Sequence, residues 1–130
     1  MLNFIKISFV ILATCITCAL PAQNSAYRRV LLFTNDNNDT AFTRQQEILK
    51  SVSAGCQERD IRVETYFFTQ TDKNILKKYG ISSPQFTFLL IGKDGGTRLR
   101  SSKPISSEQL FNLIDSMPMR KDEMKRLKNQ

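Results

Sequence analysis

Phe86-Thr87-Phe88-Leu89-Leu90-Ile91-Gly92-Lys93-Asp94-Gly95-Gly96 is the stretch around which the chain is organised. Only Thr87 interrupts its opening run of apolar residues. A continuous apolar run of this length predicts a central strand covered on both faces. The run stops at Lys93-Asp94-Gly95-Gly96. There Asp-Gly supplies the positive backbone angles of a tight hairpin turn, and the second Gly suits a bulge after it. Just upstream, Tyr79-Gly80-Ile81-Ser82-Ser83-Pro84 reads as a helix ending at Gly, followed by a proline ahead of the strand.

Working outward, Arg28-Arg29 precede Val30-Leu31-Leu32-Phe33-Thr34, a second buried-strand run. Asn35-Asp36-Asn37-Asn38-Asp39-Thr40 is a loop rich in helix-capping residues. Thr43 with Gln46 also reads as a capping box, so the following helix starts between Asp39 and Thr43. Phe42, Leu49 and Cys56 recur every seven residues with Ile48 and Val52 beside them, and Gly55 is the expected stop. Ile61, Val63, Thr65 and Phe67 alternate with Arg62, Glu64, Tyr66 and Phe68, which predicts a strand. A strand, helix, strand succession of this length argues for a right-handed parallel unit. Thr71 or Asp72 caps a short helix through Ile75, Leu76 and Tyr79. After the hairpin, 97–101 alternates again, with Leu99 inward and Arg98 and Arg100 outward on one face. Ser106 or Ser107 caps a helix bearing Leu110, Phe111 and Ile114. Pro118 interrupts it and suits the first turn of a further, basic helix over 119–127. The order is βαβαββα plus a terminal extension.

The chain has 130 residues and a formal charge of +7. Ile7 to Leu20 is almost wholly apolar or small, about the length of a signal-peptide core and short of the roughly 20 residues a membrane span needs. Residues 1–22 are therefore expected to be a cleaved export signal, with Ala19 and Ala26 as rival cleavage sites and an uncleaved membrane anchor as the alternative. Residues 23–130 then form one domain with one modest core. Of the basic residues only Lys6 falls in the leader, so the domain is basic and expected to be secreted or periplasmic. Such a protein meets anionic surfaces, acidic polymers or protein partners, and nothing supports nucleic-acid binding. Cys15-Ile16-Thr17-Cys18 has redox-pair spacing but lies inside the leader. Cys56 is the one cysteine left, so no internal disulfide is expected.

Three segments carry a resemblance. Gly55-Cys56-Gln57-Glu58-Arg59-Asp60-Ile61, Leu90-Ile91-Gly92-Lys93-Asp94-Gly95-Gly96 and Leu113-Ile114-Asp115-Ser116-Met117-Pro118-Met119-Arg120 resemble the DUDES family. Its members are single-domain bacterial secreted proteins and domains of equarin and of sushi-repeat-containing extracellular proteins. The resemblance implies an α/β, thioredoxin-like and peroxiredoxin-related core, with a mixed central sheet and helices on both faces. It implies no settled reaction. Pro84 is the candidate for the cis proline of such folds.

In a redox thioredoxin the loop after the first strand carries a Cys pair at the next helix's N-terminus, where exposed amides and the helix dipole lower a thiol pKa. Here that loop, 35–40, holds no cysteine, and the chain has no His to activate Thr40 or Thr43. Cys56 stands at the opposite end of the helix, where the dipole raises a thiol pKa; Arg59 and Arg62 are near enough in sequence to offset it. Two readings stay open: a binding or accessory cell-envelope protein without catalysis, or a thiol-dependent antioxidant using Cys56. Arg98, Arg100, Lys103 and Arg120 are the candidates for an anion-binding patch, against the alternative that they blunt a sheet edge and make ion pairs. No cofactor is expected. Asp36 and Asp39 do not match a calcium loop, so no metal is expected either.

Overall fold

A computed structural model describes residues 24–130; the expected export signal, with Cys15 and Cys18, lies outside the described residues. Phe88, Leu89, Leu90 and Ile91 are all buried on β3 (Thr87–Ile91), because the strand is covered on both faces. Its partner β1 (Arg28–Thr34) is buried in the same way. The sheet order is β2-β1-β3-β4, with β2 spanning Ile61–Phe67 and β4 Thr97–Ser101. β1 pairs with β2 in parallel and with β3 antiparallel, and β3 pairs with β4 antiparallel.

The two faces bury different cores. Val30, Leu32, Phe88 and Leu90 pack on one side against Phe42 and Leu49 of α1 (Thr40–Ser51), Cys56 of α2 (Ser53–Glu58) and Leu110 and Ile114 of α4 (Ser107–Asp115). Leu31, Phe33, Leu89 and Ile91 pack on the other side against Leu76 of α3 (Lys73–Lys78) and Ile81. Each such Leu, Ile or Phe contributes roughly 1.5–3 kcal/mol of transfer free energy. A last helix, α5 (Pro118–Lys128), opens with its proline in the first turn, where no amide donor is needed.

Four local expectations are corrected. Gly55 does not stop the first helix. It sits within α2, after a break at Val52, and a Cβ there would lie 2.7 Å from the Phe111 ring. The chain instead turns out of α2 at Asp60, which takes the left-handed conformation at φ 53°. In the hairpin only Gly95 has a positive φ, closing a turn in which its amide donates to the Gly92 carbonyl at 3.0 Å. The bulge falls later: Leu90 pairs with Leu99 and Ile91 with Thr97, leaving Arg98 as the extra residue. Finally, the peptide bond before Pro84 is trans, as is every other among the described residues. Pro84 lies in an exposed loop, and Phe86, 4% exposed, is the residue that plugs the core at the strand's start.

Candidate functional site

The start of α1 is the place where this architecture presents free helix amides to chemistry. Asp39 is its N-cap, and one carboxylate oxygen accepts from the amides of Ala41 at 2.9 Å and Phe42 at 3.2 Å. The other oxygen accepts weakly from the Thr34 hydroxyl at 3.4 Å. A fixed negative charge thus takes the amides and the dipole field that would favour a thiolate. Asp36 turns back on its own loop, accepting from the amide of Asn38 at 2.7 Å. Among the described residues no group of three or more His, Cys, Asp or Glu is placed to hold a metal ion.

Cys56 lies beyond the far end of α1, on α2, with 6% exposure. Burial pushes its thiol pKa up, and the nearby Arg59 guanidinium opposes this without reversing it. Arg59 is itself committed to Asp115 at 3.0 and 2.8 Å and to the Gly55 carbonyl, with its plane over the Phe111 ring at 4.1 Å. At neutral pH Cys56 is a buried thiol, in a place that favours no thiolate. It borders a shallow apolar groove of about 320 Å³ with Leu49, Ile61 and Val63.

The four basic candidates do not converge. Arg98, displaced by the bulge, pairs with Asp94 and borders a cavity with Leu113 and Met117 on the α4 side. Arg100 reaches the other side, donating to the carbonyls of Tyr79 at 2.7 Å and Gly80 at 2.9 Å after α3. Lys103 is exposed in the loop before α4. Arg120 is 2% exposed and cannot contribute to a surface patch. The patch expected of these four residues is thereby corrected: the bulge splits the strand pair and ion pairing draws Arg120 inward.

Arg120 belongs to a polar network at the base of the sheet. Arg28, 1% exposed at the start of β1, makes paired bonds of 3.2 Å to both carboxylate oxygens of Glu123 on α5 and donates to the Arg59 carbonyl at 2.9 Å. Lys93 of the hairpin bridges Glu123 at 2.7 Å and Asp60 at 2.8 Å. Arg120 donates to the Glu58 carbonyl at 3.1 Å and pairs with the Glu58, Asp115 and Glu123 carboxylates. Arg28, Arg59, Lys93 and Arg120 thus balance Glu58, Asp60, Asp115 and Glu123, and no buried side-chain polar atom among the described residues lacks a partner. Burial pushes the Glu123 carboxyl up, but Lys93 and Arg28 outweigh it and hold the pKa below its usual value. The Arg59 guanidinium holds Asp115 below its usual value too. The three segments quoted for the family resemblance meet in this network, and each supplies charged members.

The family described as Domain of unknown function (DUF4174) matches residues 20–123. The chain belongs to the DUF4174 family. No curated protein sequence matches it. The DUF4174 fold does have solved likenesses. One, reported as the structure of a malarial protein, is 19% identical with a TM-score of 0.55, covering 68% of this chain and 94% of that one. Another is Trxlp from Edwardsiella tarda EIB202, 24% identical with a TM-score of 0.53, covering 72% of this chain and 86% of that one. With its four-stranded mixed sheet, this DUF4174 domain has a thioredoxin-like fold.

Proposed function

We propose that this DUF4174 domain is an exported, DUDES-type thioredoxin-like module of the cell envelope that binds a partner and carries out no thiol chemistry. The observation that carries this reading is Asp39. It fills the helix start at which thioredoxin-like enzymes activate a thiol, while Cys56, near the other end of the helix, is buried with a raised pKa. The apolar core and positive start of residues 1–22 support export. The test is the rate at which Cys56 reacts with a thiol reagent, native against unfolded, between pH 5 and 9. The thiol is expected to stay silent until the chain unfolds, and the protein to consume no peroxide. A fast native reaction with an apparent pKa well below the roughly 8.5 of a free Cys overturns this reading in favour of a thiol-dependent antioxidant.

Charge placement favours an acidic polymer as one class of partner. The network draws Glu123 and Asp115 inward, and the outer side of α5 keeps Lys121, Lys125 and Lys128 at helical spacing, all exposed. Binding to such a polymer should weaken steeply as salt rises. Binding that is the same at low and high salt sinks this version.

A further inference from the structure

The two edges of the sheet are guarded differently. β4 carries a bulge and the charged pair Arg98 and Arg100, devices that discourage strand addition. β2 runs seven residues with no Pro, Gly or bulge, and among the described residues no strand pairs with its outer side. The bonds at its ends decide which groups face outward. The Arg28 amide donates to the Asp60 carbonyl at 2.8 Å, and the Phe68 amide donates to the Thr34 carbonyl at 2.8 Å. With Arg28 opposite Ile61 and Thr34 opposite Phe67, the backbone groups of Arg62, Glu64 and Tyr66 turn toward β1. Those of Ile61, Val63, Thr65 and Phe67 face out. Val63, midway along, is 45% exposed and forms one wall of the apolar groove beside Leu49 and Cys56.

We propose that β2 is the surface by which two copies of this chain associate, antiparallel about a twofold axis at Val63, making one continuous sheet. Charge selects this register. An axis at Glu64 would set that carboxylate against its own copy, a destabilising pair. An axis at Thr65 would set Glu64 opposite Tyr66 and form no ion pair. An axis at Val63 sets Arg62 opposite Glu64 of the partner subunit, twice by symmetry, at the non-hydrogen-bonded positions where facing side chains come closest. Arg62 has no carboxylate within salt-bridge distance among the described residues, and its guanidinium rests 3.5 Å above the Tyr27 ring. Glu64 already accepts from Arg29 at 2.8 and 2.7 Å but keeps 33% of its side chain exposed, so Arg62 of the partner subunit would be the second cation on that carboxylate. The same axis brings the two Val63 side chains together at the mouth of the groove.

Sedimentation velocity of the protein over rising concentration is expected to show a monomer passing into a dimer. Arg62→Glu, at an exposed position, should weaken association about tenfold, as two cross-strand pairs of about 0.7 kcal/mol each would require. A second measurement locates the axis in a chain with Cys15, Cys18 and Cys56 replaced by Ala. There Val63→Cys should link two copies on oxidation, whereas Thr65→Cys, displaced about 13 Å along the strands from its counterpart, should not. A protein that stays monomeric at every concentration, a dimer indifferent to Arg62→Glu, or failure of Val63→Cys to link while the dimer persists would each overturn the proposal.

Discussion

Gln45 and Ile105 are joined in both directions across the core. The Gln45 side chain donates to the Ile105 carbonyl at 3.1 Å and accepts from the Ile105 amide at 2.6 Å, and both residues are buried. A side-chain amide thereby stands in for a strand neighbour, satisfying a peptide that has left the sheet on its way to α4. Gln45→Leu fills similar space but leaves both groups of that peptide unpaired. It should cost about 2–4 kcal/mol, since each unsatisfied buried group costs roughly 1–3, and urea unfolding would measure it. A loss under about 0.5 kcal/mol would mean that water takes over both bonds.

Glu123 holds Arg28 and Lys93 closely, and Arg120 at 3.5 Å, at the base of the sheet. Glu123→Gln removes the charge from a largely buried set and should cost about 3 kcal/mol at neutral pH, the low end for removing one partner of a buried pair. The same residue governs acid stability. Its folded pKa lies below the ordinary value, as does that of Asp115. Their contribution is therefore full above the unfolded value of about 4, and is lost as pH falls from there through the folded values. Denaturant midpoints between pH 7 and pH 2 should fall in that acid range, and fall less steeply in Glu123→Gln. An unchanged slope would show that other carboxylates carry the acid transition.

Gly55 lies under the Phe111 ring with no space for a methyl group. In an open helix Gly→Ala would stabilise by about 1 kcal/mol, but overpacking costs roughly 1–3. Gly55→Ala should therefore destabilise by about 1 kcal/mol. In a Phe111→Ala background the same change should become neutral or stabilising. A double-mutant cycle reads this directly, and additivity of the two changes would remove the steric explanation.

Asp39→Ala should cost about 1 kcal/mol through loss of the α1 cap. Asp39→Cys puts a thiol where the carboxylate stood, facing the amides of Ala41 and Phe42. Its pKa should fall below the roughly 8.5 of a free cysteine, while that of Cys56 stays high. A pH titration of alkylation rate at each thiol checks the contrast. An ordinary or raised value at position 39 would mean that this helix start has no favourable field to offer.

The strands of the core were legible because burial on both faces forces continuous apolar runs, and Val30–Phe33 and Phe88–Ile91 have no other use for such composition. The helix caps at Asp39, Asp72 and Ser106 were legible to within the choices the residues allow. Gln45 was missed because its partner is 60 residues away. The one local signal was its position between Phe42 and Leu49 on the buried stripe. The network was missed for a related reason: most of its charges, among them Glu58, Asp60, Lys93 and Asp115, sit in turns or at helix ends, where charges are ordinarily solvated. Arg120 shares its helix face with Glu123 and Met124, a spacing that would have turned it inward had the basic neighbours not suggested a surface. No pattern of residue types announces the bulge at Arg98, which separates Arg98 from Arg100.

The central position of β1 also sets the order in which the molecule can be made. Its two neighbours are β2 and β3, so the first strand to leave the ribosome waits for Ile91 before the sheet can close around it. Arg28, at its base, waits longer still, for Glu123 on the final helix. The sheet of such a chain closes only once nearly all of it has been synthesised. Loss of the last seven residues, 124–130, would spare Glu123, whereas a chain cut short before that carboxylate would leave the buried Arg28 guanidinium without its carboxylate partner.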